Sequence, residues 1–318
     1  MTSTCDPARR YAIVFNARSG SVTPDVTAAG LVDRLHECGL AVAGGFNPNG
    51  SLATQIQEAV ESDANIVVAA GGDGTATAVA SAVVSTDKAL AVLPLGTANL
   101  LARDLGIPLG IDDAVAQLKT MSVRRIDVGD INRTLFLHKV VIGFVPGVAA
   151  ARERLRDDTS IGAVVTFLKR VVRRVLQARH LKVKLTVNHD RREEVHAAAI
   201  AVANNAYDEG VGRFFTRNSL DGGILSVYIL RRSNITAMLK LAAGMLIGRW
   251  KRIEELSIST ASDVVIQSRR RRLVTMIDGE VATFDTPLHI RIKPKALKVL
   301  APAPDAGPVE TPGESQSR

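Results

Sequence analysis

Aromatic residues, cysteines and long apolar runs are all scarce in this sequence, and each scarcity narrows what the protein can be. Only 4% of the 318 residues are aromatic, which is poor supply for the stacking platforms that bind single-stranded nucleic acid. The two cysteines, Cys5 and Cys38, cannot form a disulfide framework and fit a reducing compartment. No uncharged apolar run approaches the ~20 residues of a membrane span, and residues 1–10 lack the apolar core of a secretory signal. The sequence therefore predicts a cytoplasmic protein that does not bind nucleic acid.

Several catalytic signatures are absent as well. The sequence has no Gly-x-x-x-x-Gly-Lys-Ser/Thr phosphate loop. It has no His-Glu-x-x-His motif, no Cys/His cluster with zinc spacing and no Gly-x-Ser-x-Gly turn. These absences exclude a P-loop enzyme and argue against zinc and serine hydrolases. The net charge of +8 instead indicates an anionic partner, such as a nucleotide or an acidic membrane surface.

Two glycine-marked turns organise the stretch from Asn65 to Leu105. They are Gly71-Gly72-Asp73-Gly74-Thr75 and Pro94-Leu95-Gly96-Thr97-Ala98-Asn99. Each turn follows an apolar run that predicts a buried strand and precedes a pattern that predicts a helix. The predicted strands are Ile66 to Ala70 and Ala89 to Leu93, and the predicted helices are Thr75 to Val84 and Thr97 to Leu105.

The first turn has the composition of a phosphate site. Its glycines leave no Cβ to keep a ligand away, and the helix that follows directs free N–H groups towards an anion. Asp73 would repel a bare phosphate but suits one that carries Mg²⁺, and Thr75 can cap the helix or donate to phosphate. A tight strand-to-helix corner, with Asp73 as a cap, fits the same residues.

Strand and helix patterns alternate through the first part of the chain, which predicts a three-layer α/β domain with a mostly parallel sheet. Tyr11 to Phe15 is its first strand; Gly39 is expected to end a helix over Asp25 to Cys38, and Ser51 to cap the next. Later runs, several of them alternating, predict an antiparallel, β-sandwich-like domain. These runs are Leu135 to Ile142, His180 to His189, Val195 to Ala203, Ile224 to Leu230, Leu256 to Thr260, Val264 to Ser268, Leu273 to Ile277 and Leu288 to Ile292. The predicted organisation is a tail at 1–9, an α/β domain at 10–126, a β domain at 127–295 and a disordered tail at 301–318.

The order and spacing of these motifs resemble the diacylglycerol kinase catalytic-domain family. That family also holds sphingosine and ceramide kinases and, more distantly, NAD and 6-phosphofructo-kinases. The matching segments are the two glycine turns, Ala12 to Asn16 with Ser19-Gly20, Ala102-Arg103 and Asp278-Gly279-Glu280. The resemblance implies that a last strand near Ala296 to Leu300 returns to the first domain. The chain departs from the family in having Ala17 in place of Pro and Leu100 in place of Asp.

The resemblance implies an ATP- and Mg²⁺-dependent lipid kinase and assigns roles to particular residues. Asp73 would orient substrate or reach Mg²⁺, Glu280 would act as general base, and Asp127 would lie between them and hold the network. The residues expected to line the nucleotide are Asn16, Gly71, Gly72, Gly74, Thr75, Gly96, Thr97 and Asn99. Asp221, in an Asp-Gly segment, is similar to a residue that holds a structural Mg²⁺ in some relatives, and a plain hairpin turn is an equally good interpretation.

A basic amphipathic helix is predicted over Ile161 to Arg179. Its pattern fits a helix that lies on an anionic leaflet and equally a helix that packs on the sandwich. With the lipid substrate, the leaflet interpretation makes the protein peripheral to the inner membrane face. The sequence leaves open whether the chain forms a homodimer.

Three functions compete at this point. A lipid kinase is favoured by the Pro-Leu-Gly-Thr-Ala-Asn segment and the Ala-Arg that follows it. The second is an NAD-kinase-like enzyme with a soluble acceptor. The third is a non-catalytic regulator that binds lipid or nucleotide, against which the joint presence of Asp73, Asp127 and Glu280 speaks.

Overall fold

The structure is a computed structural model that describes residues 9–20, 26–43, 50–143, 181–209, 216–217, 219–231 and 247–303, with a few isolated positions between them. The elements of its first part are β1 (Arg10–Phe15), α1 (Ala28–Glu37), β2 (Ala41–Val42), α2 (Leu52–Glu61), β3 (Ile66–Gly71), α3 (Asp73–Val83), β4 (Ala89–Pro94), α4 (Leu100–Asp104) and α5 (Ile111–Gln117). Those of the second part are β5 (Ser122–Ile131), β6 (Thr134–Phe136), β7 (Lys139–Gly143), β8 (Leu181–Val187), β9 (Arg191–Ala197), β10 (Ala199–Asn204), β11 (Leu225–Leu230), a 3₁₀ turn (Trp250–Arg252), β12 (Leu256–Ala261), β13 (Asp263–Ser268), β14 (Arg272–Ile277), β15 (Glu280–Asp285) and β16 (Leu288–Ala301).

The first part forms a parallel sheet in the order β2-β1-β3-β4, with helices between the strands. Every residue of β3 and β4 is buried, as expected for strands covered on both faces. The helix ends follow the sequence signals. The Ser51 side chain accepts a hydrogen bond from the Thr54 amide at the start of α2, and Gly39 follows α1 with φ at +67°. The predicted α/β architecture is confirmed.

The strand β16 joins the two parts of the chain. Its 14 residues pair antiparallel with β5 and β13 and, at Val299, parallel with Leu90 of β4. The chain therefore returns to the first sheet in this strand. The sequence predicted two separate strands here, and the structure has one. An irregularity between Lys293 and Leu297, with Lys295 at a φ of +50°, lies where the two were divided. The predicted domain boundary at residue 127 falls inside β5.

A second sheet, in the order β12-β11-β10-β7-β14-β15, is antiparallel throughout. It packs on the part of the first sheet that contains β8, β13 and β16, and the shared core includes Leu185, Ile266 and Ile290 from one sheet and Ile200 and Val227 from the other. This arrangement confirms the predicted antiparallel sandwich.

Three predicted elements have the wrong extent, for local reasons. The run Leu135 to Ile142 is interrupted between β6 and β7, because the amides there bind a side chain instead of a strand. The run Val195 to Ala203 is interrupted at Ala198, where the chain passes from one sheet to the other. The helix predicted over Thr97 to Leu105 begins only at Leu100, because Asn99 has the left-handed φ of +48°. The amphipathic helix predicted over 161–179 lies outside the described residues, and within the described ranges no helix is long and apolar enough to cross a bilayer.

Candidate active site

The two glycine turns are in direct backbone contact at the carboxyl ends of β3 and β4. A Cβ built on Gly96 would lie 2.4 Å from the Cα of Gly72, and one built on Gly72 would lie 3.2 Å from the Cα of Gly96. A Cβ on Gly71 would lie 2.4 Å from the hydroxyl of Thr75. Only glycine allows this approach, so the local composition is explained by the packing of the two turns.

A third loop, after β1, closes the same edge of the sheet. The Asn16 side-chain amide donates to Thr75 Oγ1 at 2.9 Å, and the amide of Gly72 donates to Ser19 Oγ at 3.2 Å. The structure thus brings Asn16 to the first glycine turn, as the sequence predicted for a shared ligand site at strand ends.

Asn99 shapes the second turn. Its carbonyl oxygen accepts from the amide of Gly96 at 2.8 Å, and its own side-chain amide donates to the carbonyl of Gly96 at 2.6 Å. Asn99 is buried by these bonds, whereas Thr97 and Gly74 are exposed. Within the predicted nucleotide set, Thr97 and Gly74 are thus the most accessible residues, and Asn16 and Gly72 are half-buried.

Asp73 connects the two turns through its carboxylate. Oδ1 accepts from the amides of Leu100 at 2.7 Å and Leu101 at 3.4 Å, so Asp73 caps the N-terminus of α4 although it is itself the first residue of α3. Burial raises the pKa of Asp73, and these backbone hydrogen bonds oppose the rise. The capping interpretation is therefore wrong in its place, because the carboxylate caps α4 and not α3, whose N-cap is Gly72. The chemical role of Asp73 stays a prediction, and its second carboxylate oxygen is available for it.

A β-hairpin from the second part of the chain delivers Glu280 to the first turn. β14 and β15 are joined by Asp278 and Gly279 alone, which have φ values of +48° and +101°, and Asp-Gly is a preferred sequence for such two-residue turns. A Cβ built on Gly74 would lie 2.9 Å from Glu280 Oε1. The structure therefore brings together Asp73, Glu280 and both glycine turns, which are up to 209 residues apart in sequence.

Asp278 holds this hairpin in place, whereas the sequence indicated it only as part of the Asp278-Gly279-Glu280 motif. Its carboxylate accepts from the amides of Leu137, His138 and Lys139 at 2.6, 2.9 and 2.9 Å. It also accepts from Thr77 Oγ1 of α3 at 3.3 Å. Burial raises the pKa of Asp278, while the three amides favour its ionised form. The Asp-Gly turn indicates a hairpin at this position, but these contacts, about 140 residues away in sequence, have no local signal.

Lys139 adds a cation beside the hairpin. Its Nζ lies 5.4 Å from the ring centroid of Tyr207, a cation–π distance. Burial lowers the pKa of Lys139 to about 8; Asp278 opposes the shift and Arg217 adds to it. No sequence pattern indicated a partly desolvated lysine here.

Asp127 lies elsewhere, which corrects the expected position between Asp73 and Glu280. Its carboxylate accepts from the amides of Gly223 at 2.6 Å and Lys295 at 2.7 Å and from the Asn205 side chain at 3.1 Å. None of these partners belongs to the glycine turns or to the hairpin. Asp127 is 1% exposed, so its geometry is that of an anchor between β5, β16 and the turn before β11, and its catalytic role stays a prediction.

Asp221 belongs to that same turn before β11, apart from the catalytic set. It is exposed and accepts from Ser219 Oγ at 3.3 Å. In the portion of the chain that the structure describes, no three His, Cys, Asp or Glu side chains are grouped closely enough to hold a metal ion. The metal role of Asp221 therefore stays a prediction. A Mg²⁺ that arrives with a nucleotide needs fewer protein ligands, since one or two carboxylates complete its shell with phosphate oxygens and water, and Asp73 fits this requirement.

Family models and individual relatives agree on the family to which this chain is similar. The model for the diacylglycerol kinase catalytic domain matches residues 10–131, and that for the YegS C-terminal NAD kinase beta sandwich-like domain matches residues 144–301. A relative from Pseudomonas aeruginosa named "Probable lipid kinase YegS-like" is 31% identical over 267 residues, which cover 78% of this chain and 80% of the relative. A relative from Pseudomonas savastanoi with the same name is 29% identical over 252 residues, which cover 78% of this chain and 79% of the relative.

Two solved structures share the fold at low identity. A diacylglycerol kinase from Bacillus anthracis has a TM-score of 0.66 and 18% identity, with 92% of this chain and 97% of that chain covered. An NAD kinase from Archaeoglobus fulgidus in complex with ATP has a TM-score of 0.51 and 12% identity, with 93% and 94% covered. These likenesses concern the fold alone.

Proposed function

Because this chain belongs to the diacylglycerol kinase catalytic-domain family of lipid kinases, we propose that it transfers the γ-phosphoryl group of ATP to a lipid hydroxyl in the presence of Mg²⁺. The observation that carries this proposal is the position of Glu280. Its carboxylate reaches the exposed Gly74 at the N-terminus of α3, where helix amides favour bound phosphate. This adjacency supports a role for Glu280 as general base beside a phosphate bound at the start of α3, as transfer to a hydroxyl requires.

Each part of the site has a separate task in this reaction. The amides of the first glycine turn, with Thr97 of the second, bind and orient the phosphates of ATP. Asp73 holds Mg²⁺, which when bound neutralises phosphate charge. Glu280 accepts the proton of the acceptor hydroxyl while the new bond from its oxygen to phosphorus forms and the bond to the ADP oxygen breaks. Asp278 keeps the Glu280 hairpin in place through the amides of Leu137 to Lys139.

An apolar band on the antiparallel sheet favours a lipid acceptor over a soluble one. One row of paired residues crosses all six strands on the face that points away from the sandwich core. In order it consists of Val281, Met276, Val141, Ala201, Tyr228 and Ile258. Val281, next to Glu280 in sequence, is 46% exposed and Ile258 at the far end is 38% exposed, whereas Val141 and Tyr228 between them are buried. An exposed apolar side chain beside the proposed base favours an acceptor with acyl chains.

The direct test is transfer of labelled γ-phosphate from ATP by the purified protein with Mg²⁺ and a panel of lipids in mixed micelles. NAD and a sample without lipid are run in parallel, and Glu280→Gln is the matched control because it keeps the shape of the side chain. Label on one lipid, lost in Glu280→Gln, is the expected result. Label on NAD would move the protein to the soluble-acceptor function that the NAD kinase fold represents. No labelled product from folded protein that binds ATP would favour a regulator.

We also propose that the protein binds an anionic membrane surface through the face of the sandwich opposite the apolar band. A cavity of ≈ 540 Å³ opens on strands β8, β9 and β13 and is lined by Lys182, Lys184, His196 and Arg269 against one acid, Glu194. Such a cationic groove attracts anionic headgroups within a Debye length. Lys182→Gln with Lys184→Gln should reduce sedimentation with anionic vesicles, most at low salt. Equal sedimentation of variant and wild type would remove this groove from the proposal.

A further inference from the structure

A buried arginine lies where the two parts of the candidate site meet. Arg217 is 3% exposed, and all three of its guanidinium nitrogens are engaged. Nε and Nη2 donate to Asp104 Oδ2 at 2.9 and 2.6 Å, and the Arg217 amide donates to Asp104 Oδ1 at 3.1 Å. Nη1 donates to the carbonyls of Leu137 at 2.7 Å and Asn204 at 2.8 Å. Only arginine offers a rigid fork that reaches several acceptors at once.

His138 completes the set as a neutral ring. Its Nδ1 lies 2.9 Å from Arg217 Nη2, and because a guanidinium can only donate, Nδ1 is the acceptor and the ring proton is on Nε2. Burial, followed by the charge of Arg217, lowers the pKa of His138 well below its ordinary value. The imidazole therefore accepts from Arg217 without adding a second positive charge to the cluster.

Two partners of Arg217, Asp104 and Leu137, belong to segments that bind residues of the candidate site. Asp104 is the last residue of the five-residue helix α4, whose first amides bind Asp73. Leu137 accepts from Arg217 through its carbonyl and donates to Asp278 through its amide. Asp278 in turn lies two residues before Glu280. The guanidinium thus joins the segment that holds Asp73 to the segment that holds Glu280.

This arrangement is a poor way to stabilise a fold. The side chains of Asp104 and Arg217 are 2% and 1% exposed, and the desolvation of a buried ion pair commonly equals or exceeds its Coulombic gain. Apolar residues of similar volume would stabilise the same position as well. What apolar residues would not provide is directional contact with three separate segments.

We propose that Arg217 is a positioning residue that sets the distance between the Asp73 turn and the Glu280 hairpin. This inference rests on the proposed function for its kinetic part only. Removal of the fork should lower kcat by about a hundredfold, as misplacement of reacting groups by ~1 Å does, with little change in KM for ATP. It should also speed hydrogen exchange at the amides bound by Asp73 and Asp278, by about tenfold, because local opening becomes easier.

The deciding variant combines Asp104→Leu with Arg217→Met, which replaces the buried ion pair by apolar side chains and removes the donor to the Leu137 and Asn204 carbonyls. Arg217→Lys is the second variant, since it retains the charge opposite Asp104 but cannot serve the Leu137 and Asn204 carbonyls together. Val264→Ala, in the sandwich core at 0% exposure, is the control for general destabilisation. Each protein is measured for urea stability, kcat, KM and amide exchange.

The expected result is low kcat and fast exchange at Leu100, Leu101 and Leu137 in both Arg217 variants, but not in Val264→Ala at matched stability. If the double variant recovers wild-type kcat and exchange together with stability, the pair only holds the fold and the inference is wrong. Exchange is read without any lipid or ATP. If the wild type transfers no phosphate at all, the proposed function fails. Fast exchange in the variants would still support Arg217 as the residue that connects the two segments. Unchanged exchange would overturn this inference about Arg217.

Discussion

Substitution of Gly96 by alanine tests whether contact between the two glycine turns is required. The new Cβ would lie 2.4 Å from Gly72 Cα and 2.8 Å from Asn99 Oδ1, about 1 Å inside ordinary carbon contact. Both neighbours are held, Gly72 by the backbone and Asn99 by its two bonds to Gly96. The turns must therefore separate, at ~1–3 kcal/mol of folding stability as in other overpacked sites.

Separation of the two turns should reduce the turnover rate far more than the free energy of unfolding. A displacement of ~1 Å between reacting groups lowers turnover by about a hundredfold. Activity is measured as labelled phosphate transfer to the lipid substrate in mixed micelles, and stability by urea denaturation. Gly39→Ala is the matched control, because Gly39 has φ at +67° with nothing within 4 Å of a new Cβ, so alanine there costs ~1–2 kcal/mol at the opposite edge of the sheet. Wild-type turnover in Gly96→Ala, or an equal loss in Gly39→Ala, would refute the reasoning.

Two further predictions concern charge. Asp73→Asn should abolish turnover and leave the fold intact, because the amide oxygen can still accept from Leu100. Since burial raises the folded pKa of Asp73, the wild type should lose stability relative to the variant as the pH rises above 3.8. Full activity of the variant would remove Asp73 from the catalytic set. Lys139→Met should be more stable than wild type at pH 7, because the pKa of Lys139 is about 8 in the folded protein and 10.5 in its ordinary state. The buried ammonium therefore lowers the stability of the wild type below pH 8, and this cost disappears as the pH rises from 8 to 10.5. Urea denaturation at pH 7 and 10 should show the difference narrowing, and a constant difference would contradict the assignment.

The part of the molecule that the sequence predicts best is the part made of local signals. Uninterrupted apolar runs marked β3 and β4 to within a residue, Ser51 marked the start of α2, and the glycine residues marked the two turns that contact each other. In each of these cases the structure is decided by a few neighbouring residues. The strand β15 that carries Glu280 was not among the predicted strands, although an Asp-Gly turn precedes it.

Non-local contacts account for what the sequence did not reveal. Nothing near Asp127 in the chain shows that it binds Gly223 and Lys295, about a hundred or more residues away, so its expected place between Asp73 and Glu280 was wrong. Asp104 follows a family-like segment yet has no pattern that pairs it with Arg217. Such pairings depend on the path of β5 and β16 through the sheet, which periodicity does not encode.

The position of β16 has a consequence for how the chain is made. This strand is the last of the described strands to be synthesised, yet it lies between β4 and β13, with β5 also paired to it. Until residues 288–301 leave the ribosome, β4 presents an unpaired parallel edge, and such edges invite association with other chains. A fragment that stops before β16 would contain every residue of both glycine turns and still lack the strand that closes their sheet. The sheet that holds both glycine turns is therefore complete only after β16 has been synthesised.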